Sequence, residues 1–259
     1  MCKLAWIAVL IAASATAAEW EGYERLTRGQ VVSRVDASTP ESPADLRSKN
    51  LIDADLAGVD FRSADLSATV LNGATLRQAN LDGCNLTVSF LEEADLSEAT
   101  LRNAEMFSVQ LAGADLTGAS LAGARLIGDL RKTTLSGATL TGMNAAPDMR
   151  NQSMGLMRTV LANANAQGAD FSGSDFSRAD FSFADLSGAR MIETRLVRSD
   201  LSGTRLVKAD LSGADLRGAQ LIDTDLTHAN LTNADLSGAT FRNVRGLERA
   251  VTTGTRGLP

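Results

Sequence analysis

Between Lys208 and Thr240 a leucine recurs at every fifth residue: Leu211, Leu216, Leu221, Leu226, Leu231 and Leu236. An alanine or threonine stands two places before each. An interval of five fits neither regular element. On a strand, side chains alternate, so leucines five apart would fall on opposite faces. On a helix, each would be turned by roughly 140° from the last, and no face would collect them. A chain that turns a corner of about 90° every five residues brings all of them to one axis. Four such units close a square turn of twenty residues, and successive turns stack at the strand spacing of about 4.8 Å. The residue two places before each leucine also points inward and is small because no second large side chain fits.

The repeated unit reads A(D/N)LxG, as in Ala184–Gly188, Ala114–Gly118 and, with a final Asn, Ala229–Asn233. In this it resembles the pentapeptide-repeat family. The resemblance covers roughly three quarters of the chain and implies an all-β fold, a right-handed quadrilateral β-helix. It implies little about activity, because the family hosts unrelated roles.

The arrays can be followed residue by residue. A segment without the repeat, 19–43, carries Trp20, Tyr23, Val31, Val32 and Val35 and is expected to cap the open N-terminal end. The first array, 44–142, has its centres at Leu46, Leu51, Leu56, Phe61 and onward to Leu126. It then slips by one residue to Leu130, Leu135 and Leu140. The pattern fails over 143–158, which is expected to leave the wall as a loop at a turn boundary, with room for a short helix. It resumes over 159–242, where only Ala166 departs from the large apolar centre. About nine turns result, a rod of roughly 45 Å. The tail, 243–259, is expected to be a C-terminal cap with one or two helical turns around Leu247 and Val251. All four prolines lie outside the regular arrays, as strand ladders require.

Composition sharpens this picture. Aromatic residues make up only 4% of the chain, too few for a bulky globular core. The formal net charge of -6 argues against nucleic acid as a partner. Residues 1–18 read as a secretory signal peptide: Lys3, an apolar run from Leu4 to Ala13 too short to span a bilayer, and small residues at Ala15–Ala18. Export, to the periplasm or beyond the cell, is therefore expected, with no transmembrane span in the mature protein. Cleavage would remove Cys2 and leave Cys84 alone, in a slot otherwise held by alanine.

The register also makes the outer surface legible. Arg190, Arg195 and Arg205 replace the usual Asp, with Asp170, Asp175 and Asp185 one turn below and Asp210, Asp215 and Asp225 one turn above. A basic ligand site, aided by Arg198 and Lys208, is one reading; charge compensation along the ladder is the simpler one. Five apolar residues in outward slots, Val70, Val88, Phe90, Phe107 and Ile127, converge on one edge and form a candidate docking stripe. Beside it, the break carries Met143, Met149, Met154 and Met157. Methionines in an exported protein could hold copper(I). Their uneven spacing, and the distance to the single histidine, His228, favour a loop that folds back on flexible contacts.

No nucleophile–base pair, phosphate loop or dinucleotide fingerprint is present, and the aspartates face water as ladder residues. No enzyme activity, cofactor or metal is expected. The reading is an exported scaffold that binds a protein partner or a second copy of itself. Two alternatives stand beside it. Some family members are acidic, DNA-shaped proteins that bind topoisomerases, a role that would apply if the N-terminus were not a working signal. The other is a secreted effector.

Overall fold

The computed structural model describes residues 20–147 and 157–259. The chain winds as a four-sided coil whose turns pair in parallel twenty residues apart: Asp45 with Asp65, Asn50 with Val70, Asp55 with Thr75, and Asp60 with Asn80. The first to fourth walls are named here by their first centres, Leu46, Leu51, Leu56 and Phe61. These centres and the small residues two places before them line the axis, from Leu46 (0% exposed) to Leu236 (0%).

Every backbone N–H of the unit has a destination, which explains the repeat itself. In the unit around Leu66, the Ala64 N–H closes the corner on the Phe61 carbonyl at 2.8 Å. Asp65 donates down to Ala44 at 2.9 Å, Leu66 up to Asn85 at 2.8 Å, and Ala68 up to Thr87 at 2.9 Å. That leaves the Ser67 N–H, which reaches Asp65 Oδ1 at 3.0 Å. Where Asp or Asn stands before a centre, it is therefore an acceptor for the backbone, as at Asp115, Asp200 and Asn230. Where Ser or Thr replaces the small inward alanine, its hydroxyl donates to a main-chain carbonyl: Thr69 to Leu46 at 2.6 Å and Thr194 to Phe171 at 2.9 Å.

Several of these carboxylates are better acceptors as anions, which sets an acid limit. The Thr227 hydroxyl and N–H hold Asp225 below its ordinary value despite partial burial, and the Arg217 guanidinium does the same for Asp215. A carboxyl whose folded pKa lies below its unfolded value contributes stability above the unfolded value, about 4. That contribution is lost as pH falls through the folded pKa. The melting temperature should hold from neutral pH to about 4 and fall below it. Asp225→Asn, which keeps the acceptor oxygen, should flatten part of that fall; an acid profile unchanged by this substitution would refute the role of Asp225.

The N-terminal end is covered in detail. β1 (Glu24–Arg25) pairs with β2 (Lys49–Asn50), and α1 (Arg28–Asp36) follows, started by a Thr27–Gln30 capping box. Leu26 and Val31 are buried against the first turn. Carbonyls of that turn have no turn beneath them, and the cap supplies donors: Leu26 N–H to Asn50, and Arg28 to Asp55 at 2.7 Å and Ala57 at 2.9 Å. Arg34 reaches Asp45 at 3.3 Å.

The frame slip lies where β3 (Glu105–Gln110) runs beside β4 (Arg125–Asp129). Phe107 pairs with Ile127 and Val109 with Gly128, so one residue is skipped. A Cβ on Gly128 would strike the Val109 backbone, so glycine is what allows the shortened corner.

The break differs from expectation. Met143 and Ala145 do not leave the wall: Asn144 bridges Arg125 below and Asp175 above, Met143 is 2% exposed and Ala145 0%. Here the large residue takes the small slot and the small residue takes the centre, so the pair fills the same inward space with its sizes exchanged. The chain returns at Thr159, and Val160 bridges Asp129 and Asp180. The detour thus replaces one corner between the first and second walls, inside a turn. The short helix allowed for in this segment would fall mainly on 148–156, outside the described residues.

The C-terminal tail also differs. It makes only a 3-10 turn, Leu247–Arg249, and otherwise continues the ladder, with Arg245 on Asp225, Val251 on Asn230 and Arg256 on Asp235. Those pairings accept the N–H groups of Leu226, Leu231 and Leu236, which a free-standing helix would leave open. β5 (Gln220–Ile222) pairs with β6 (Thr240–Arg242) on the second wall just below this end.

Candidate functional site

The edge expected to be an exposed apolar stripe is largely covered by the chain itself. Val70 is 0% exposed and Ile127 2%, while Val88, Phe90 and Phe107 are half-buried. At Phe90 the cover is the N-terminal segment. Trp20 lies on Phe90 with ring centroids 4.7 Å apart and is braced edge-on by Tyr23 at 5.3 Å. Phe90 thus receives the cap, which gives it a structural partner. Of the four methionines, Met143 is in the wall. Met157 is half-buried and lines a groove of about 530 Å³ with Ile127 and Val160. Met149 and Met154 lie outside the described residues.

The arginines in aspartate slots are paired. Arg190 meets Asp170 at 3.4 Å, Arg195 meets Asp175 at 3.2 Å and Arg205 meets Asp185 at 3.7 Å, each one turn below. All three arginines are more than half exposed, so these contacts are charge compensation worth a few tenths of a kcal/mol each. Cys84 is sealed inside, its thiol donating to the Phe61 carbonyl at 3.0 Å and pushed up to about 12 by burial. A thiol in that state is no nucleophile at neutral pH.

Two other features stand out. Phe183 is 67% exposed, at the corner between the second and third walls, with φ 59°. Its ring lies over Gly203, where a Cβ would collide with it. The second feature is a concavity of about 480 Å³ on the first wall, lined by Arg178, Arg195, Arg198 and Arg217 around Val197 and Gly218. The sequence shows Phe183 as one of several scattered outward hydrophobes. The signal that separates it is its slot, the left-handed corner, combined with glycine one turn above.

The profile of a family described as pentapeptide repeats matches the chain in eight copies, over residues 50–87, 79–126, 104–145, 156–191, 194–233 and 219–245. The chain belongs to the pentapeptide repeat family. Among solved structures it is similar to HetL of the cyanobacterium Nostoc sp. strain PCC 7120, a pentapeptide repeat protein involved in heterocyst differentiation regulation. The identity is 29% over 89% of this chain and 96% of that one, with a TM-score of 0.47. A second pentapeptide repeat protein from Nostoc PCC 7120 is 36% identical over 41% of this chain and 82% of its own, with a TM-score of 0.37. QnrB1, a plasmid-mediated fluoroquinolone resistance protein, is 17% identical over 76% of this chain and 88% of its own, with a TM-score of 0.45. No curated protein matches the sequence. Among the described residues of this pentapeptide repeat protein, no helix is long and apolar enough to cross a membrane.

Proposed function

We propose that this pentapeptide repeat protein is a non-enzymatic, exported scaffold that binds a protein partner through the outer face of a right-handed solenoid. Its axis is filled by leucine, alanine and a cluster of three phenylalanines, so its outer walls are where partners would be met. The observation that carries the reading is Phe183. A bulky residue in the left-handed region is strained, and an aromatic ring two-thirds exposed gains little from the fold. Such a ring is suited to anchor a contact. The expectation of export rests on the sequence of residues 1–18, and cleavage there would leave Trp20 close to the new N-terminus, still positioned to cover Phe90.

The test is affinity capture from the exported fraction, with light scattering, for wild type and Phe183→Ser. Melting should be unchanged or slightly raised, and recovery of the partner or of a second copy should fall by about tenfold or more. Equal recovery and equal mass would refute Phe183 as the anchor. Mass spectrometry of the recovered protein should find a start at Ala18 or Glu19; an intact Met1 in the cytoplasm would refute export.

A further inference from the structure

The corner between the first and second walls carries a stack of arginines that the repeat does not call for. Arg158, Arg178 and Arg198 each stand immediately before a second-wall unit, and the bridges Val160–Asp180–Asp200 place those units in successive turns. The arginines are therefore about 4.8 Å apart along the rod. Like charges in adjacent rungs are unfavourable. Arg158 is offset by Asp180 at 2.9 Å. Arg178 and Arg198 have no carboxylate within 4.0 Å among the described residues. Gly218 occupies the same corner slot one turn further on, with φ 67°, without strain or charge. The two arginines thus carry repulsion and left-handed backbone, φ 64° and 58°, with no carboxylate partner among the described residues.

Their setting is a built concavity. Arg195 and Arg217 flank it, each already neutralised: Arg195 by Asp175, and Arg217 by a two-pronged pair with Asp215 at 2.7 Å. Val197 forms an apolar patch between them, and the Arg198 side chain lies against the face of Gly218. Among the described residues, Arg178 and Arg198 are the lining arginines without a carboxylate within 4.0 Å. Guanidinium forks match carboxylates in two-pronged geometry.

We propose that this arginine corner binds a short acidic peptide segment of a partner protein, with Arg178 and Arg198 each taking a carboxylate and Val197 contacting the aliphatic part of the segment. The inference rests on the reading that the chain binds proteins and names the chemistry of one contact. A short segment fits better than a nucleic acid. The patch is local, the whole chain carries a formal charge of -6, and Asp175, Asp180 and Asp215 flank the corner. A phosphate backbone, with one negative charge per about 1.7 Å of duplex, would run onto those carboxylates.

The experiment is fluorescence anisotropy of the full chain with a labelled, end-capped hexaglutamate peptide at about 20 mM salt, where exposed charges are weakly screened. Hexaglutamine and a short oligothymidylate are the comparison probes. Arg178→Gly/Arg198→Gly places glycine where the backbone already favours it, so the fold should keep or gain melting temperature. Arg190→Gln/Arg205→Gln removes the same charge from other walls. The expected result is binding of hexaglutamate but not hexaglutamine, weakened about tenfold or more by the corner variant and less than about twofold by the control. The inference is overturned by equal weakening in both variants, by no loss in the corner variant, by absence of wild-type binding, or by corner-dependent oligothymidylate binding tighter than the peptide. If the corner variant titrates like wild type while partner capture through Phe183 persists, this inference alone falls. If the peptide binds at the corner while nothing is captured from the exported fraction, it is the broader reading that fails.

Discussion

Leu96→Asp is expected to abolish the folded array around the third wall. Leu96 is 0% exposed, stacked in the column of Leu76 and Leu116, and its N–H is already committed to Asp115 at 2.7 Å. An aspartate there finds only alkyl neighbours and carbonyl oxygens engaged in the ladder. Burying that carboxylate without a donor costs several kcal/mol or forces it to take a proton. In a solenoid each turn is held only by the turns beside it, so the loss should spread to both neighbours. Circular dichroism should show loss of strand signal, and denaturant unfolding a loss above about 4 kcal/mol. Leu96→Met, which keeps size and polarity, should cost less than about 1.5 kcal/mol. The pH response should invert as well. The new carboxyl has a raised folded pKa, so its penalty shrinks as pH falls, whereas the wild type loses stability below about pH 4. A Leu96→Asp protein with wild-type melting at neutral pH would show that the column does not face the axis.

Phe176→Ala should cost about 3–5 kcal/mol, the range for removing a buried aromatic ring. Phe171, Phe176 and Phe181 occupy three successive walls, with centroids 5.4, 6.1 and 5.4 Å apart in edge-on or tilted contacts. They lie beside two small centres, Ala145 and Ala166. Ala145 sits directly beneath Phe176, joined by its N–H to the Asp175 carbonyl at 2.8 Å, and Ala166 is the centre before Phe171. The rings therefore occupy volume that leucines at 145 and 166 would fill. This predicts a coupling. Ala145→Leu alone should overpack the column and cost about 1–3 kcal/mol, but in the Phe176→Ala background it should recover part of the loss. Additive losses in the double variant would mean that the ring does not use the space above Ala145.

The repeat and its register were legible because they are local. A five-residue interval assigns every inward slot, and the twenty-residue multiple names each stacked neighbour, as Asp45 with Asp65 or Arg190 with Asp170 shows. The aspartate's second role was harder to read. Its position suggests only a solvent-facing ladder, and its bond to the N–H two residues on emerges when every other backbone donor is accounted for. The strained corners were hidden for a similar reason, since Phe183 and Arg178 are ordinary residues until their φ angles and upper neighbours are known.

The amino-acid sequence by itself determined the coil, its four walls, its inward columns and the place where the frame slips, because these follow from spacing along a continuous chain. Only the tertiary structure decided what the irregular parts do. Trp20 meets Phe90 across seventy residues, so that part of the apolar edge serves the chain's own cap. Met143 and Ala145 exchange sizes and stay in the wall. Across the detour, Asn144 pairs with Asp175 and Asp129 with Val160, each thirty-one residues on instead of twenty. Each of these outcomes depends on which distant segments come to lie side by side. A period of five carries no information about that once the period is interrupted.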